Sequence, residues 1–180
     1  LLVVSQFFCA LTWLYFFLFL NGLGAARRDQ IALGLCFAAW PTLFFLVCGY
    51  SESMFMATLF GTIYWTERAL RAEKTGRRSQ LGWMLAGVHG FGLSASRLMG
   101  IPLTVYPLGR AIFNRKSGSR KGWFWGALAS GLGLLGAVAF FVYQHERFGV
   151  WNLYFLLQQK GWGNTPDYFA ILKPTSYLPY

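Results

Sequence analysis

A chain of 180 residues that is 56% hydrophobic and 19% aromatic, with only 12% charged residues, falls outside the composition of soluble globular domains. Its mean hydropathy of +0.42 and its apolar runs read as an all-α polytopic membrane protein, because backbone groups in lipid must be satisfied within helices or closed barrels. The formal charge of +10 does not point to nucleic acid: twelve of the 16 basic residues sit in three short linkers, 24–30, 66–80 and 109–122, without a shared aromatic-flanked face. Lysine and arginine concentrated between apolar segments mark cytoplasmic loops.

Residues 1–20 form the first predicted span, ended by Asn21, Gly22 and Gly24 and followed by Arg27 and Arg28. The chain opens on Leu1 within an apolar run, so it is taken as an internal fragment of a longer protein. No basic region precedes this run, which favours a span over a signal peptide. Cys9, Cys36 and Cys48 lie in apolar runs without ligand-like spacing and read as small buried residues.

From Ile31 to Thr66 the apolar run is interrupted by Pro41 and by Tyr50-Ser51-Glu52-Ser53. It is read as two spans, 31–49 and 53–66. Thirty-six residues of helix reach about 54 Å, short of the roughly 60 Å needed to cross a hydrocarbon core twice. The turn bearing Glu52 is therefore expected to stop below the outer interface, with Pro41 kinking or breaking the helix before it.

Leu81 to Arg110 is bounded by basic linkers on both sides, which implies an even number of crossings, yet 30 residues give only about 45 Å of helix. The prediction is a helix over 81–96, a turn at Arg97 and a short return over 101–113. One long tilted helix is the competing reading. A final span, 123–144, carries two small-residue rows, Gly122, Gly126, Ser130 and Ala129, Gly133, Ala137, expected to pack within the chain. Residues 145–180 are read as an external loop, and 1–180 as one transmembrane domain.

This topology puts the polar anomalies Tyr50, Ser51, Glu52, Arg97 and the segment from Gln159 to Asp167, which includes Trp162, on the non-cytoplasmic side. A carboxylate or guanidinium at membrane depth needs a partner. Two readings stay open: a polar cavity in which Arg97 and nearby hydroxyls receive a phosphate head group, or a structural Glu52–Arg97 ion pair that lets two short hairpins pack. His89 reads as a hydrogen-bonded packing histidine rather than a proton relay. No metal-ligand spacing and no glycine-rich phosphate loop is present, so no cofactor is expected.

Three stretches carry a family resemblance. Trp40-Pro41-Thr42 to Tyr50-Ser51-Glu52-Ser53-Met54-Phe55 resembles the Pro-Thr/Ser to Tyr-Thr/Ser-Glu-Ser-Leu-Phe signature of the PIG-V-like mannosyltransferases, which belong to the GT-C membrane glycosyltransferases. Ser96-Arg97-Leu98-Met99-Gly100 is similar to that family's Thr-Arg-x-x-Gly, with Ser96 in place of threonine. Gln159-Lys160-Gly161-Trp162-Gly163 is similar to its Gln-x-x-Trp-Gly.

The resemblance implies an inverting transfer of a sugar, mannose by analogy, from a polyprenyl-phosphate donor to a lipid or glycan acceptor. The active face would be the non-cytoplasmic side of a bacterial plasma membrane or the endoplasmic reticulum. It also implies a general-base carboxylate in an external loop ahead of Leu1, Arg97 near the donor phosphate, and Trp162 near the sugar or acceptor. The rival readings are a transporter or flippase of an amphipathic anion and a non-catalytic membrane scaffold.

Overall fold

The computed structural model describes residues 2–41, 43–48, 51–114 and 120–162, and every one of its regular elements is helical. In chain order these are α1 (Leu2–Gly22), α2 (Arg27–Ala38), a 3-10 turn (Leu43–Leu46), α3 (Glu52–Lys74), α4 (Gln80–Ser96), two short 3-10 turns (Leu98–Gly100 and Pro102–Val105), α5 (Tyr106–Phe113), α6 (Arg120–Phe148) and α7 (Leu153–Trp162).

Several boundaries differ from the sequence reading. The segment 31–49 is not one helix: α2 begins within the basic linker, at Arg27, and stops at Ala38. Its 12 residues give about 18 Å, too short for a 30 Å core. Pro41 lacks a donor and biases Trp40 away from the helical region, so the run breaks rather than kinks. Helix α3 runs on past Thr66 for two further turns, because Glu67-Arg68-Ala69-Leu70-Arg71-Ala72-Glu73-Lys74 is a run of helix formers. The one long helix considered for 81–113 is absent: α4 ends at Ser96, Arg97 is extended (φ −154°, ψ 137°), and α5 starts only at Tyr106. The external loop predicted from residue 145 is helical through Phe148 and again over α7.

The chain divides into two compact units, Leu1–Phe140 and Phe141–Tyr180, with the boundary inside α6. In the first, α3 is the centre, packed against α1 and α4. Its two ends are distinct. At one, Arg71 donates to the Gly22 carbonyl that closes α1 (2.7 Å), Glu73 accepts from Ser79 and Trp83 at the start of α4, and Arg110 of α5 pairs with Glu67. At the other, Ser5 of α1 bonds to the Leu46 carbonyl and to the Ser53 hydroxyl, and Thr12 donates to the Ser53 carbonyl. The hydroxyls of the first apolar helix thus anchor the irregular segment leading into α3.

The two small-residue rows of α6 divide their work. Gly126 and Ser130 face α5, where the Leu108 amide donates to the Ser130 hydroxyl. Ala129 and Gly133 face Gly87 and Gly90 of α4, close enough that a Cβ on Gly90 would lie 3.2 Å from the Gly133 Cα.

The interior is small and hydroxyl-rich while large apolar side chains point outward. Thr12, Ser53, Thr62, Thr66, Ser94 and Thr104 are buried, and Thr58, Thr62 and Thr66 each donate to the carbonyl four residues earlier. Val3 and Phe113 are 82% and 86% exposed, and Phe7, Leu35, Met84, Val88, Phe124 and Leu135 are exposed too. Among the described residues two helices, Leu2–Gly22 and Gly122–Phe148, are long and apolar enough to cross a membrane.

Candidate functional site

The site grows from two chain breaks. Pro41 ends the apolar run after α2, and the chain re-enters helix at Glu52, the first residue of α3. A carboxylate in the first turn faces the positive end of the helix dipole. Ser51 stands at the N-cap position, but its hydroxyl makes no capping bond.

The second break is at Arg97. Gly100 donates its amide to the Arg97 carbonyl (2.8 Å), and the turn folds back so tightly that a Cβ on Gly100 would strike the Leu93 carbonyl oxygen. Glycine is required there by space, which gives the Arg-x-x-Gly spacing a physical basis: the glycine permits the reversal that presents the arginine.

The two breaks meet. Arg97 Nη2 lies 2.7 Å from Glu52 Oε1, with the side chains 43% and 23% exposed. At that exposure an ion pair contributes about 1 kcal/mol or less, so another anion can compete for the guanidinium. The second oxygen, Glu52 Oε2, is buried and has no hydrogen-bond partner among the described residues.

Both side chains line a cavity of about 570 Å³, whose other walls are Phe37, Trp40, Leu43, Phe45, Leu46, Phe55 and Met56. Apart from the ion pair the lining is aromatic and aliphatic. A cationic group at the rim of an apolar, aromatic-walled hollow suits an amphiphile with an anionic head.

Of the six residues singled out from sequence, Glu52 and Arg97 are brought into contact and Ser51 adjoins Glu52 in the chain. Tyr50 lies outside the described residues, as do Gly163 to Asp167. Gln159 is an exposed residue of α7 and Trp162 is that helix's last residue; both belong to the second unit. Within that unit the Tyr154 amide donates to Gln144 and His145 packs edge-on against Trp151.

Sequence reasoning missed two polar clusters. Glu67 binds Arg110 through both oxygens (2.6 and 3.0 Å) and accepts from the Tyr106 hydroxyl (2.8 Å). Charges close to linkers drew no attention, although an acid one residue past an apolar run and a base in a facing segment of similar length were visible. The other joins three helices. His89 contacts the Leu85 carbonyl through Nδ1 (2.8 Å) and the Tyr15 hydroxyl through Nε2 (2.8 Å), and Trp65 donates to the same hydroxyl (3.0 Å). A carbonyl only accepts, so Nδ1 carries the proton and neutral His89 takes the Tyr15 hydrogen on Nε2. That is a packing histidine with every bond used. Gly61 makes room for it, since a Cβ there would overlap the imidazole.

Among the described residues no group of three or more His, Cys, Asp or Glu could hold a metal ion. No protein-family model, curated protein or solved structure matches the chain.

Proposed function

We propose that the chain is a multi-pass membrane glycosyltransferase of the PIG-V-like, GT-C type, which moves a sugar, mannose by analogy, from a polyprenyl-phosphate donor to an acceptor on the non-cytoplasmic face. The observation that carries this reading is the meeting of Glu52 and Arg97 at the edge of an aromatic-walled cavity. The two residues come from separate stretches, each of which resembles a signature of that family.

The membrane placement rests on the apolar exterior and hydroxyl-rich interior, on the two long apolar helices, and on the gathering of Arg68, Arg71, Arg77, Arg78 and Arg110 toward the end of α3 opposite Glu52. By the orientation bias of basic residues that end is cytoplasmic and the cavity opens away from it.

In this mechanism Arg97 receives the donor phosphate and stabilises the negative charge that grows on it as the glycosidic bond breaks. The apolar walls take the first isoprene units. Glu52 belongs to binding rather than proton abstraction, because Oε1 is already committed to a guanidinium. The base is assigned to none of the residues described.

The test is sugar transfer from a radiolabelled polyprenyl-phosphate mannose by the purified protein in lipid nanodiscs, with Arg97→Ala as control. Transfer that needs Arg97 supports the reading. Donor movement across the bilayer without transfer would replace it with a flippase, and neither activity would leave the scaffold. Sidedness is checked by cysteines at Ser51, Leu98 and Thr75 in a background lacking Cys9, Cys36 and Cys48. An impermeant reagent applied outside is expected to label the first two and spare the third.

A further inference from the structure

Glu52 has one oxygen more than a counter-ion needs. Oε1 rests on Arg97, whereas Oε2 is buried and no donor reaches it among the described residues. An ionised carboxylate is acceptor-only, with about four lone-pair sites, and a buried acceptor left unpaired is costly. Besides Arg97, Trp40 is the one cavity wall with a side-chain donor, and no bond from it to Oε2 is present among the described residues. An occupant of the cavity can supply the donor.

Arg97 narrows the choice. Its guanidinium has five N–H donors, and the single contact to Glu52 leaves the remainder for an anion. A second cation brought to Oε2 would sit beside a carboxylate already neutralised by Arg97 and would face the guanidinium itself. A hydroxyl donates without bringing a charge. The occupant that satisfies both partners therefore carries an anion and, close to it, a neutral hydroxyl. The two oxygens of one carboxylate are neighbours, so the two groups must be neighbours as well.

We infer that Glu52 Oε2 accepts a hydrogen bond from a sugar hydroxyl close to the phosphorylated carbon of the donor, while Arg97 holds the phosphate, so that Glu52 makes the site select glycosylated over sugar-free lipid phosphates. This rests on the functional reading above and adds a specificity role to a residue so far placed only near the substrate. The selection follows from the orphan oxygen: a lipid phosphate without a sugar leaves Oε2 unsatisfied, whereas the glycosylated lipid removes that penalty on binding.

The experiment measures binding of three lipids to the protein in nanodiscs: a polyprenyl phosphate, a polyprenyl-phosphate hexose, and the same hexose lipid lacking the hydroxyl next to the anomeric carbon. The native protein is expected to bind the complete hexose lipid about tenfold more tightly than either of the others. In Glu52→Leu, which can neither accept from nor donate to a sugar hydroxyl, the preference is expected to fall to within about twofold. Equal affinity of the native protein for the complete and hydroxyl-lacking hexose lipids overturns the inference without recourse to any variant. An unchanged preference in Glu52→Leu overturns it too, leaving the functional reading in place. If the native protein binds none of the three, the functional reading fails and this inference with it.

Discussion

Two glutamates of α3, Glu52 and Glu67, each meet an arginine from the chain that follows α4, and the pairs stand about 22 Å apart along the helix. At the Glu67 end both carboxylate oxygens are bound, by the Arg110 fork and by the Tyr106 hydroxyl. At the Glu52 end a single contact reaches Arg97, one oxygen has no donor among the described residues, and a cavity adjoins. The same pair of residue types thus does two jobs. A saturated pair ties α3 to α5 and offers nothing to a ligand; an unsaturated one beside a cavity keeps both donor and acceptor capacity in reserve.

That contrast breaks most visibly at Arg97. Arg97→Ala is expected to lower sugar transfer per folded molecule about 100-fold or more, the scale for removing a donor from a developing oxyanion, with a lower unfolding temperature because Glu52 loses its partner. Arg97→Lys, which keeps the charge but loses the fork, is expected to recover only part of it. Next comes Gly100→Ala. The Leu93 carbonyl that its Cβ would strike is backbone, so the turn must shift, and transfer is expected to fall at least about tenfold as Arg97 is displaced.

The Glu67 end predicts the reverse. Arg110→Ala removes a bidentate pair and is expected to cost about 1–2 kcal/mol of stability, an allowance for the 43% exposure of Arg110. Activity per folded molecule should stay within about twofold. A transfer defect as deep as that of Arg97→Ala would show that the two pairs do not differ in role. The smallest effect is at the three-helix contact. Tyr15→Phe leaves the Trp65 N–H and His89 Nε2 without their shared partner, a loss of about 1 kcal/mol, read as a lower unfolding temperature with transfer unchanged.

Much of the helical layout was legible because it follows from local chemistry. The apolar run from Leu1, the end of α4 beside Arg97 and the short return into α5 each have a proline, a glycine cluster or a charge at the break, whereas the span read over 31–49 ends at Ala38, ahead of Pro41. The ends of α2 and α3 were misplaced because basic residues were treated as linker, although arginine, lysine and glutamate are good helix formers and extend a helix beyond its apolar part. The division of the chain inside α6 left no mark in composition.

For the candidate site, residue types and spacing identified Glu52 and Arg97, because a charge interrupting an apolar run is rare and must be partnered. Their contact, and the unequal use of the two carboxylate oxygens, depends on how the 3-10 turn at Leu43–Leu46 and the α4–α5 reversal lie against α3, which no local pattern encodes. For the same reason His89 could be read as a packing residue, while Tyr15 and Trp65, drawn from helices 74 and 24 residues away in the chain, could not be named as its neighbours. Sequence alone determined that the chain is helical and apolar and placed the breaks at Glu52 and Arg97, since propensity and hydropathy act over a few residues. Only the tertiary structure decided which charges are saturated and which keep an open oxygen, because hydrogen-bond satisfaction is a property of atoms brought together from distant parts of the chain.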